Sequence, residues 1–273
     1  MLYLCATPIG NLGDLTLRVI DALKACDAIY CEDTRRTLQL LNHLGIQKPL
    51  VSCHAHNERM RAGEAACRLA AGETLGYASD AGMPGVSDPG AALVAACIER
   101  GLEFTVLPGA SAVLPAAVMR GLPPQPFTFF GFFPRESKPQ RGMLDAIASC
   151  GHQVILYESP QRVQRTLRAL YERLGDCPAA VLRELTKKFE QALRGTLSEL
   201  IAQLETPPRG ECVIAVCPAR AQAEPVSPEA LDTALRELLD AGASVRDAAA
   251  ETARALGVPK KEAYARALEL TRE

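Results

Sequence analysis

The chain has 273 residues, 48% of them hydrophobic, and a formal net charge of −2 at pH 7. This length allows one large domain or two to three smaller ones, with enough apolar residues for a sizeable core. The near-neutral charge excludes a globally basic surface, so any contact with nucleic acid would depend on local basic patches.

Signals for targeting and metal binding are weak. The first ten residues lack the basic segment of a signal peptide, and no apolar run reaches the length of a membrane span, so we expect no membrane partner. Ten cysteines are scattered without a C-x-x-C pair, which favours small core residues in a reducing cytoplasm over zinc or disulfides. His54 and His56 lack the further ligands that a metal site requires, so we predict no metal.

Short apolar runs alternate with helical patterns over the first 120 residues. Strands are predicted at residues 2–6, 28–31, 49–53, 74–78 and 102–107. Helices are predicted at residues 15–26, 37–45, 91–100 and 112–121, with one more ending near residue 71. Thr16 and Asp14 are both suitable caps for the first helix. Because the strands end in polar or glycine-rich loops, we predict a doubly wound α/β domain with a ligand cleft along one edge of its parallel sheet.

The loop at residues 79–90, SDAGMPGVSDPG, is the strongest candidate for ligand binding. A plain connection in such a sheet needs only about 2–6 residues, and three glycines allow close approach of a ligand to the backbone. Asp80 is the first charge after the strand, so we expect it to point into the cleft beside Gly82. Ser87 and Asp88 fit equally well as caps of the next helix.

The second half of the chain has a different pattern. The segment LPPQPF at residues 122–127 marks the first expected domain boundary. Strands are predicted at residues 127–133, 153–159, 179–185 and 210–218, and residues 187–200 read as a hairpin or strand that leads into a helix. Residues 134–142 are expected to form a mobile basic loop. Since few long helices separate these strands, we predict a mixed sheet.

A polar linker at residues 219–229 precedes three short helical patterns. Ser244 and Asp247 have the spacing of a capping box, Gly257 is a stop signal, and Pro259 is a start signal. These features predict a small bundle that resembles a helix-turn-helix. The basic residues of its last helix suit either a solvated face or a surface that docks RNA. The expected domains are therefore residues 1–120, 123–218 and 226–273.

The loops exclude several common nucleotide and hydrolase sites. The sequence contains no GxxxxGK[ST] phosphate loop, no GxGxxG after the first strand, and no GxSxG elbow. What remains is a cleft lined by glycines, backbone amides and acidic groups. Such a cleft suits a ligand that carries an ammonium or sulfonium, a ribose and an adenine, and S-adenosylmethionine is one.

Ten ordered motifs carry a resemblance to a known family. They are TPIGNLGDLTLR (7–18), CEDTRRT (31–37), HAHNE (54–58), SDAGMPGVSDPG (79–90), LPGASA (107–112), GLP (121–123), GFFPR (131–135), YESPQR (157–162), RELTKKFE (183–190) and RGECV (209–213). Together they resemble the tetrapyrrole-methylase-type class (class III) of S-adenosylmethionine methyltransferases over nearly the whole chain. Within it they resemble the bacterial branch that methylates the ribose 2′-hydroxyl of a cytidine in the decoding region of 16S rRNA. Met83 and Gln161 stand where threonine and histidine are usual.

The resemblance implies a homodimer that binds S-adenosylmethionine between two domains and acts on 16S rRNA or the small ribosomal subunit. The implied cofactor neighbours are Ile9, Gly10, Asp80, Gly82, Met83, Ser111, Ala112, Tyr157, Leu182 and Val213. The implied substrate side consists of Glu32, Asp33, Arg35, His54, Asn57, Glu58, Glu158, Glu184 and Lys187.

Methyl transfer to a ribose hydroxyl requires alignment and help from a proton acceptor. Glu32, Asp33, Glu158 and Glu184 are the candidate catalytic carboxylates, and the sequence does not choose among them. Lys187 would either pair with a neighbouring carboxylate or contact a phosphate, and phosphate contact is favoured because Lys188 follows it. Two alternatives stay open: a tetrapyrrole-type small-molecule methyltransferase of the same fold, and a non-catalytic nucleic-acid-binding factor.

Overall fold

A computed structural model describes residues 1–121, 126–218 and 227–271. The chain divides into two compact units, Met1–Ala219 and Arg220–Glu273. The expected boundary at residues 122–127 and the linker at residues 219–229 fall largely outside the described residues. The limits of the three expected domains therefore stay a prediction.

The first half of the larger unit is built on a parallel sheet. Its strands are β1 (Leu2–Cys5), β2 (Ala28–Cys31), β3 (Leu50–Ser52), β4 (Leu75–Ala78) and β5 (Phe104–Leu107), in the order β3-β2-β4-β1-β5. Strands β2 and β4 are buried throughout, as expected for a parallel sheet that is covered on both faces. In register, Cys5 lies between Ala78 and Leu107, so the loops after β1, β4 and β5 leave the sheet side by side.

Five helices cover this sheet: α1 (Leu17–Ala25), α2 (Thr34–His43), α3 (Glu58–Ala70), α4 (Ala91–Glu99) and α5 (Val113–Met119). Thr16 caps α1, since its side chain accepts a hydrogen bond from the Val19 N–H. Helix α2 begins three residues before the predicted start because Asp33 caps it by accepting from the Arg35 N–H. The doubly wound parallel domain is thus confirmed.

The prediction that Ser87 or Asp88 caps α4 is wrong. Ser87 has a φ of 65°, outside the extended conformation of a helix cap, and the N-cap residue is Gly90. The Glu58 carboxylate of α3 performs the capping instead, accepting from the Gly90 N–H at 2.7 Å and from the Ala92 N–H at 2.9 Å. A negative charge at this position also interacts favourably with the dipole of α4.

The second half of the larger unit is built on a mixed sheet, as predicted. Its elements are β6 (Phe127–Phe132), α6 (Ser137–Cys150), β7 (Gln153–Glu158), α7 (Val163–Leu174), β8 (Pro178–Arg183), β9 (Gln191–Thr196), α8 (Leu197–Gln203) and β10 (Cys212–Val216). The strand order is β6-β7-β10-β8-β9. Strands β6 and β7 are parallel, and the remaining pairs are antiparallel.

The expectation of a mobile loop at residues 134–142 is wrong, because α6 begins at Ser137. Pro139 lies in the first turn of this helix, where backbone N–H groups have no intrahelical acceptor, so proline is tolerated there. The apolar side that stabilises α6 lies further along: Ile147 is fully buried, and Met143 and Leu144 pack against the same core. The basic residues near its start are nevertheless exposed.

The smaller unit contains α9 (Pro228–Asp240), α10 (Val245–Leu256) and α11 (Lys260–Leu270), which confirms the three predicted helices. Ser244 caps α10 by accepting from the Asp247 N–H, and Gly257 ends it in the left-handed conformation. Arg266, one of the basic residues of α11, is held by Asp232 at 2.6 Å and by Glu269 at 2.7 Å. That residue therefore belongs to the helix bundle rather than to a free basic face.

The cysteines are all free thiols, most of them buried. Burial raises the pKa of Cys5 and Cys53 to about 12, so these thiols are protonated and unreactive at neutral pH. In the described ranges, every helix is too short or too polar to cross a lipid bilayer. In the same ranges, no group of three His, Cys, Asp or Glu side chains is arranged to hold a metal ion.

Candidate active site

Two glycine-rich loops are joined at the carboxyl edge of the first sheet. Thr7, after β1, exchanges two backbone hydrogen bonds of 2.9 Å with Gly82, after β4. The Thr7 hydroxyl donates to the Ser79 carbonyl, and the Ser79 hydroxyl donates to the Gly82 carbonyl, both at 2.9 Å. Gly82 has a φ of 83°, a conformation that favours glycine. These bonds fix the loop at residues 79–90 against the first loop of the chain.

A cleft of about 320 Å³ opens between these loops and the second sheet. Its size lies at the lower end of the range for small-molecule sites. Seven of the ten predicted cofactor residues line it: Ile9, Gly82, Met83, Ser111, Ala112, Tyr157 and Val213. The structure thus brings together residues from three loops of the first half and two strands of the second.

The charge of the cleft is one-sided. Its described lining contains the carboxylates of Asp88, Glu158 and Glu211 and no lysine, arginine or histidine. The remaining lining is mostly apolar, with Phe132 and Leu185 among its walls. Such a site suits a ligand that has a flat apolar ring and a positive charge, and it disfavours a polyphosphate.

The other three predicted cofactor residues lie elsewhere. Asp80 lines a separate polar concavity of about 270 Å³, where it accepts from the Asp33 N–H at 3.0 Å and lies 3.5 Å from Arg36. Leu182 is fully buried in the core beneath the cleft. Gly10 is packed under Lys187, whose side chain would lie 2.3 Å from a β-carbon placed on the glycine. None of these three residues lines the cleft, so their contact with the cofactor stays a prediction.

Asp88 is the most unusual carboxyl group of the cleft. Burial raises its pKa from 3.8 to about 6, with repulsion from Glu32 and Asp80 as the smaller causes. Among the described residues, its carboxylate oxygens accept no hydrogen bond and form no ion pair. Asp88 is also close enough to Tyr157 to help burial raise the pKa of that phenol to about 12. The carboxylate is therefore unpartnered and able to take up a proton near neutral pH.

Glu158 lines the same cleft but its carboxylate is fully engaged. It accepts from the Ser159 N–H at 2.8 Å and from the Thr166 hydroxyl at 2.6 Å, and it lies 3.5 Å from Arg162. Only 2% of the residue is exposed. These contacts favour a role in fixing the turn after β7, and a catalytic role for Glu158 stays a prediction.

A short ion-pair network lies behind the cleft residue Glu211. Lys187 Nζ lies 2.9 Å from Glu184 Oε1 and 3.0 Å from Glu211 Oε2. The hydrogen bond from Lys187 is the main cause that holds the pKa of Glu184 below its usual value. This arrangement agrees with the ion-pair alternative for Lys187, while its contact with phosphate stays a prediction.

The acidic residues after β2, Glu32 and Asp33, lie next to Asp80 and line neither the cleft nor the smaller concavity. Asp33 caps α2 and also binds Arg35 through two side-chain hydrogen bonds of 2.7 and 3.0 Å, which lower the pKa of Asp33 to about 2. Burial, together with Asp80, raises the pKa of the neighbouring Glu32. Asp33 is thus an ionised cap, whereas Glu32 retains the character of a candidate proton acceptor.

The predicted substrate residues after β3 mostly shape their own turn. Asn57 accepts from the His54 N–H at 2.8 Å and donates to the Ser52 carbonyl at 3.2 Å. Glu58 caps α4, as described above. The His54 Nδ1 atom is buried and has no hydrogen-bond partner among the described residues, so His54 is the member of this segment with unused bonding capacity.

The sequence left Asp88 open between a ligand role and a helix cap, and it assigned no role to the cleft residues Phe132, Leu185 and Glu211. Phe132 is the last residue of β6. Leu185 lies two residues after the end of β8, and Glu211 lies one residue before the start of β10. Their positions next to strand ends could be predicted from the sequence. That they meet in one cleft depends on the antiparallel order β7-β10-β8, which could not.

A family model for tetrapyrrole (corrin/porphyrin) methylases matches residues 1–201. The chain belongs to the tetrapyrrole methylase family. A second model, the RsmI C-terminal HTH domain, matches residues 224–271, which include the three terminal helices.

Curated relatives extend the likeness along the whole chain. The ribosomal RNA small subunit methyltransferase I of Synechocystis sp. is 41% identical over 273 residues, covering 99% of this chain and 98% of its own. That of Bacillus subtilis is 40% identical over 270 residues, covering 97% and 92%. These matches confirm the predicted family and the predicted likeness to its ribosomal RNA methyltransferases.

Solved structures agree on the fold. The methyltransferase CobJ gives a TM-score of 0.60 at 22% identity, covering 81% of this chain and 94% of its own. A uroporphyrin-III C-methyltransferase from Thermus thermophilus, solved with S-adenosyl homocysteine, gives 0.57 at 18% identity, covering 79% and 96%. The class III methyltransferase fold is confirmed, and so is S-adenosylmethionine as the cofactor expected of this methylase family.

Proposed function

We propose that this tetrapyrrole methylase transfers a methyl group from S-adenosylmethionine to the 2′-hydroxyl of a cytidine ribose in the decoding region of 16S rRNA. The observation that carries the proposal is the acidic, largely apolar cleft in a chain that is about 40% identical to ribosomal RNA methyltransferases over its whole length. The expected site of action is the bacterial cytoplasm, where ribosomes are assembled.

The residues of the cleft fit the cofactor. Apolar walls from Ile9, Met83 and Val213 suit an adenine ring, and the Ser111 hydroxyl offers a polar contact. The carboxylates and the lack of a basic side chain in the described lining suit an ammonium and a sulfonium. When bound, S-adenosylmethionine supplies an electrophilic methyl group on its sulfonium.

Asp88 is the residue to which we assign the proton-accepting role. As the ribose oxygen forms its bond to the methyl carbon and the carbon–sulfur bond breaks, the hydroxyl proton has to leave. An unpartnered carboxylate with a pKa of about 6 is matched to that task near neutral pH. The four carboxylates predicted from the sequence include two that are tied into ion pairs, Asp33 and Glu184, and one that is buried in hydrogen bonds, Glu158.

The phosphates of the RNA need positive charge outside the acidic cleft. Arg135, Lys138 and Arg141 follow the cleft residue Phe132 and are exposed, and no described carboxylate lies within ion-pair distance of them. Arg162 holds the start of this segment by donating to the Phe133 and Pro134 carbonyls at 2.9 and 2.7 Å. We propose that this basic segment, together with the predicted Arg35 and His54, contacts RNA.

Incubation with tritiated S-adenosylmethionine and either small subunits or naked 16S rRNA tests the function. We expect radioactivity in 16S rRNA, and none in a tetrapyrrole such as uroporphyrinogen. Arg141→Ala should weaken RNA binding and reduce its salt dependence by about one unit. Arg173→Ala is the matched control, because Arg173 is an exposed arginine already paired with Asp145 at 2.9 Å.

The terminal helices are proposed to dock the RNA or the subunit. The larger unit ends at Ala219, so a chain cut there should retain its fold and its cofactor affinity while losing most methylation of the natural substrate. Calorimetry with S-adenosylmethionine and a methylation assay measure the two properties separately. Unchanged turnover of the cut chain would contradict the docking role.

We also propose that the enzyme is a homodimer. Leu114 and Val118 lie one turn apart on α5 and are 60% and 80% exposed. Such a pair of apolar side chains suits an interface between copies. Light scattering of the purified protein should give about twice the mass of one chain, and Leu114→Asp with Val118→Asp should give a single chain.

A further inference from the structure

The turn between β8 and β9 has an unusually well-fixed backbone. Glu184 and Thr186 have φ values of 53° and 67°, which non-glycine residues rarely adopt. Two hydrogen bonds stabilise this backbone conformation. The Lys187 N–H donates to the Glu184 carbonyl at 3.0 Å, and the Thr186 N–H donates to the Glu190 carboxylate at 2.6 Å. These bonds fix the backbone of the turn in one conformation.

This turn is also part of the cleft. Leu185 lines the cleft wall, and Lys187 packs its side chain over Gly10, the residue after the cleft residue Ile9. Strand β8 pairs with β10, whose Cys212 and Val213 line the cleft as well. The turn therefore contributes one residue to the cleft wall and packs another, Lys187, against the loop after β1; Lys188 and Phe189 follow these residues directly in the chain.

Lys188 and Phe189 are the next two residues of this turn, and we name them the 188–189 tip. Phe189 is 68% exposed, more than any other described aromatic side chain classed as exposed. Lys188 Nζ lies 5.6 Å from the centre of its ring, within cation–π distance. A single exposed phenylalanine is common, but here it is paired with a cation on a fixed turn that borders a cleft.

We propose that the 188–189 tip binds an unpaired RNA base next to the methylated nucleotide, by stacking on Phe189 with the Lys188 ammonium near the adjoining phosphate. The proposal rests on the proposed function. A ribose in a cleft requires its strand to be unstacked locally, and proteins hold unstacked bases on aromatic side chains. The pairing of an aromatic ring with a positive charge favours a nucleic-acid strand over an apolar protein partner.

The test uses the absence of tryptophan from this chain. Phe189→Trp introduces a single fluorescent reporter at the tip, and Phe189→Ala removes the ring. Tyr171→Ala is the matched control, since Tyr171 is a 41% exposed aromatic residue near the end of α7. Each variant is titrated with the 16S rRNA fragment that the wild-type enzyme methylates, with S-adenosyl homocysteine present to prevent turnover.

We expect Phe189→Ala to weaken RNA binding about tenfold, the effect of losing one stacked base, with cofactor affinity unchanged. Phe189→Trp should bind almost as tightly as wild type, and RNA should quench its emission. Wild-type RNA affinity in Phe189→Ala, or constant emission of Phe189→Trp at saturating RNA, would overturn the proposal. A change of oligomeric state in Phe189→Ala with intact RNA affinity would assign the tip to a second copy instead. If the wild-type enzyme neither methylates nor binds ribosomal RNA, the proposed function is wrong, and the proposal for the 188–189 tip is wrong with it.

Discussion

Replacing Asp88 by asparagine should change how stability depends on pH. The folded protein raises the pKa of this carboxyl group from 3.8 to about 6. Between these values the folded chain keeps a proton that the unfolded chain releases, so stability falls as the pH rises through the window. The cost is absent well below about pH 4 and approaches its full value about one pH unit above 6. At about 1.36 kcal/mol for each pKa unit the upper limit is about 3 kcal/mol, and solvent screening of this half-buried carboxyl group reduces it to about 1–2 kcal/mol.

Asparagine does not titrate, so Asp88→Asn should gain stability relative to wild type as the pH rises. Urea unfolding of both proteins from about pH 4 to about pH 8 measures the difference in unfolding free energy. Asp33→Asn is a suitable control, because the folded protein lowers the pKa of Asp33 to about 2. The pH range in which Asp33 titrates therefore lies below the range of the experiment. A difference between Asp88→Asn and wild type that is constant over the whole range would refute the raised pKa.

The same variant tests the chemistry. If Asp88 accepts the proton, methylation by the wild-type enzyme should rise with pH, reach half its limiting rate near pH 6 and level off about one unit higher, as the carboxyl group ionises. Asp88→Asn should lose about 10²–10⁴-fold in rate and should lose this pH limb. A variant that retains the wild-type rate and pH profile would return the role to Glu32 or another group.

Three further substitutions separate binding from architecture. Gly82→Val should abolish cofactor binding in calorimetry, because a branched side chain on this left-handed residue would stand in the cleft beside Ile9. Gly101→Val, also left-handed but in open space, should bind normally. Glu58→Ala should cost about 1–2 kcal/mol in urea unfolding through loss of the α4 cap, and normal stability with weakened RNA binding would instead support the predicted substrate role. Lys187→Ala should keep the salt slope of RNA binding because its ammonium is already shared by two carboxylates; a slope reduced by about one unit would assign it to a phosphate.

Local patterns were sufficient for most of the fold. The apolar runs around Leu2, Ala28 and Leu75 predicted buried strands, and Thr16, Ser244 and Gly257 marked helix ends by their own side chains or backbone. Several of the failures have a common physical cause, which is that a distant part of the chain decided the outcome.

The cap of α4 shows this cause clearly, because it comes from Glu58 on a neighbouring helix, 32 residues away from Gly90 in sequence. Helix α6 was missed because polar residues and Pro139 fill its first turn, while its packing begins only at Met143. The raised pKa of Asp88 depends on burial and on Glu32 and Asp80, which tertiary folding brings near. Motif matching found seven cofactor residues of the cleft and Glu158, but it could not find groups whose chemistry arises only from such packing.

Identification of the methylated nucleoside tests the central claim most directly. Small subunits that lack the modification would be incubated with the enzyme and labelled S-adenosylmethionine, and the 16S rRNA would be digested to nucleosides and analysed by mass spectrometry. We predict that the label appears as 2′-O-methylcytidine at one position of the decoding region. Label on a base, on another nucleoside or on no RNA at all would contradict the assignment of this cleft to ribose methylation.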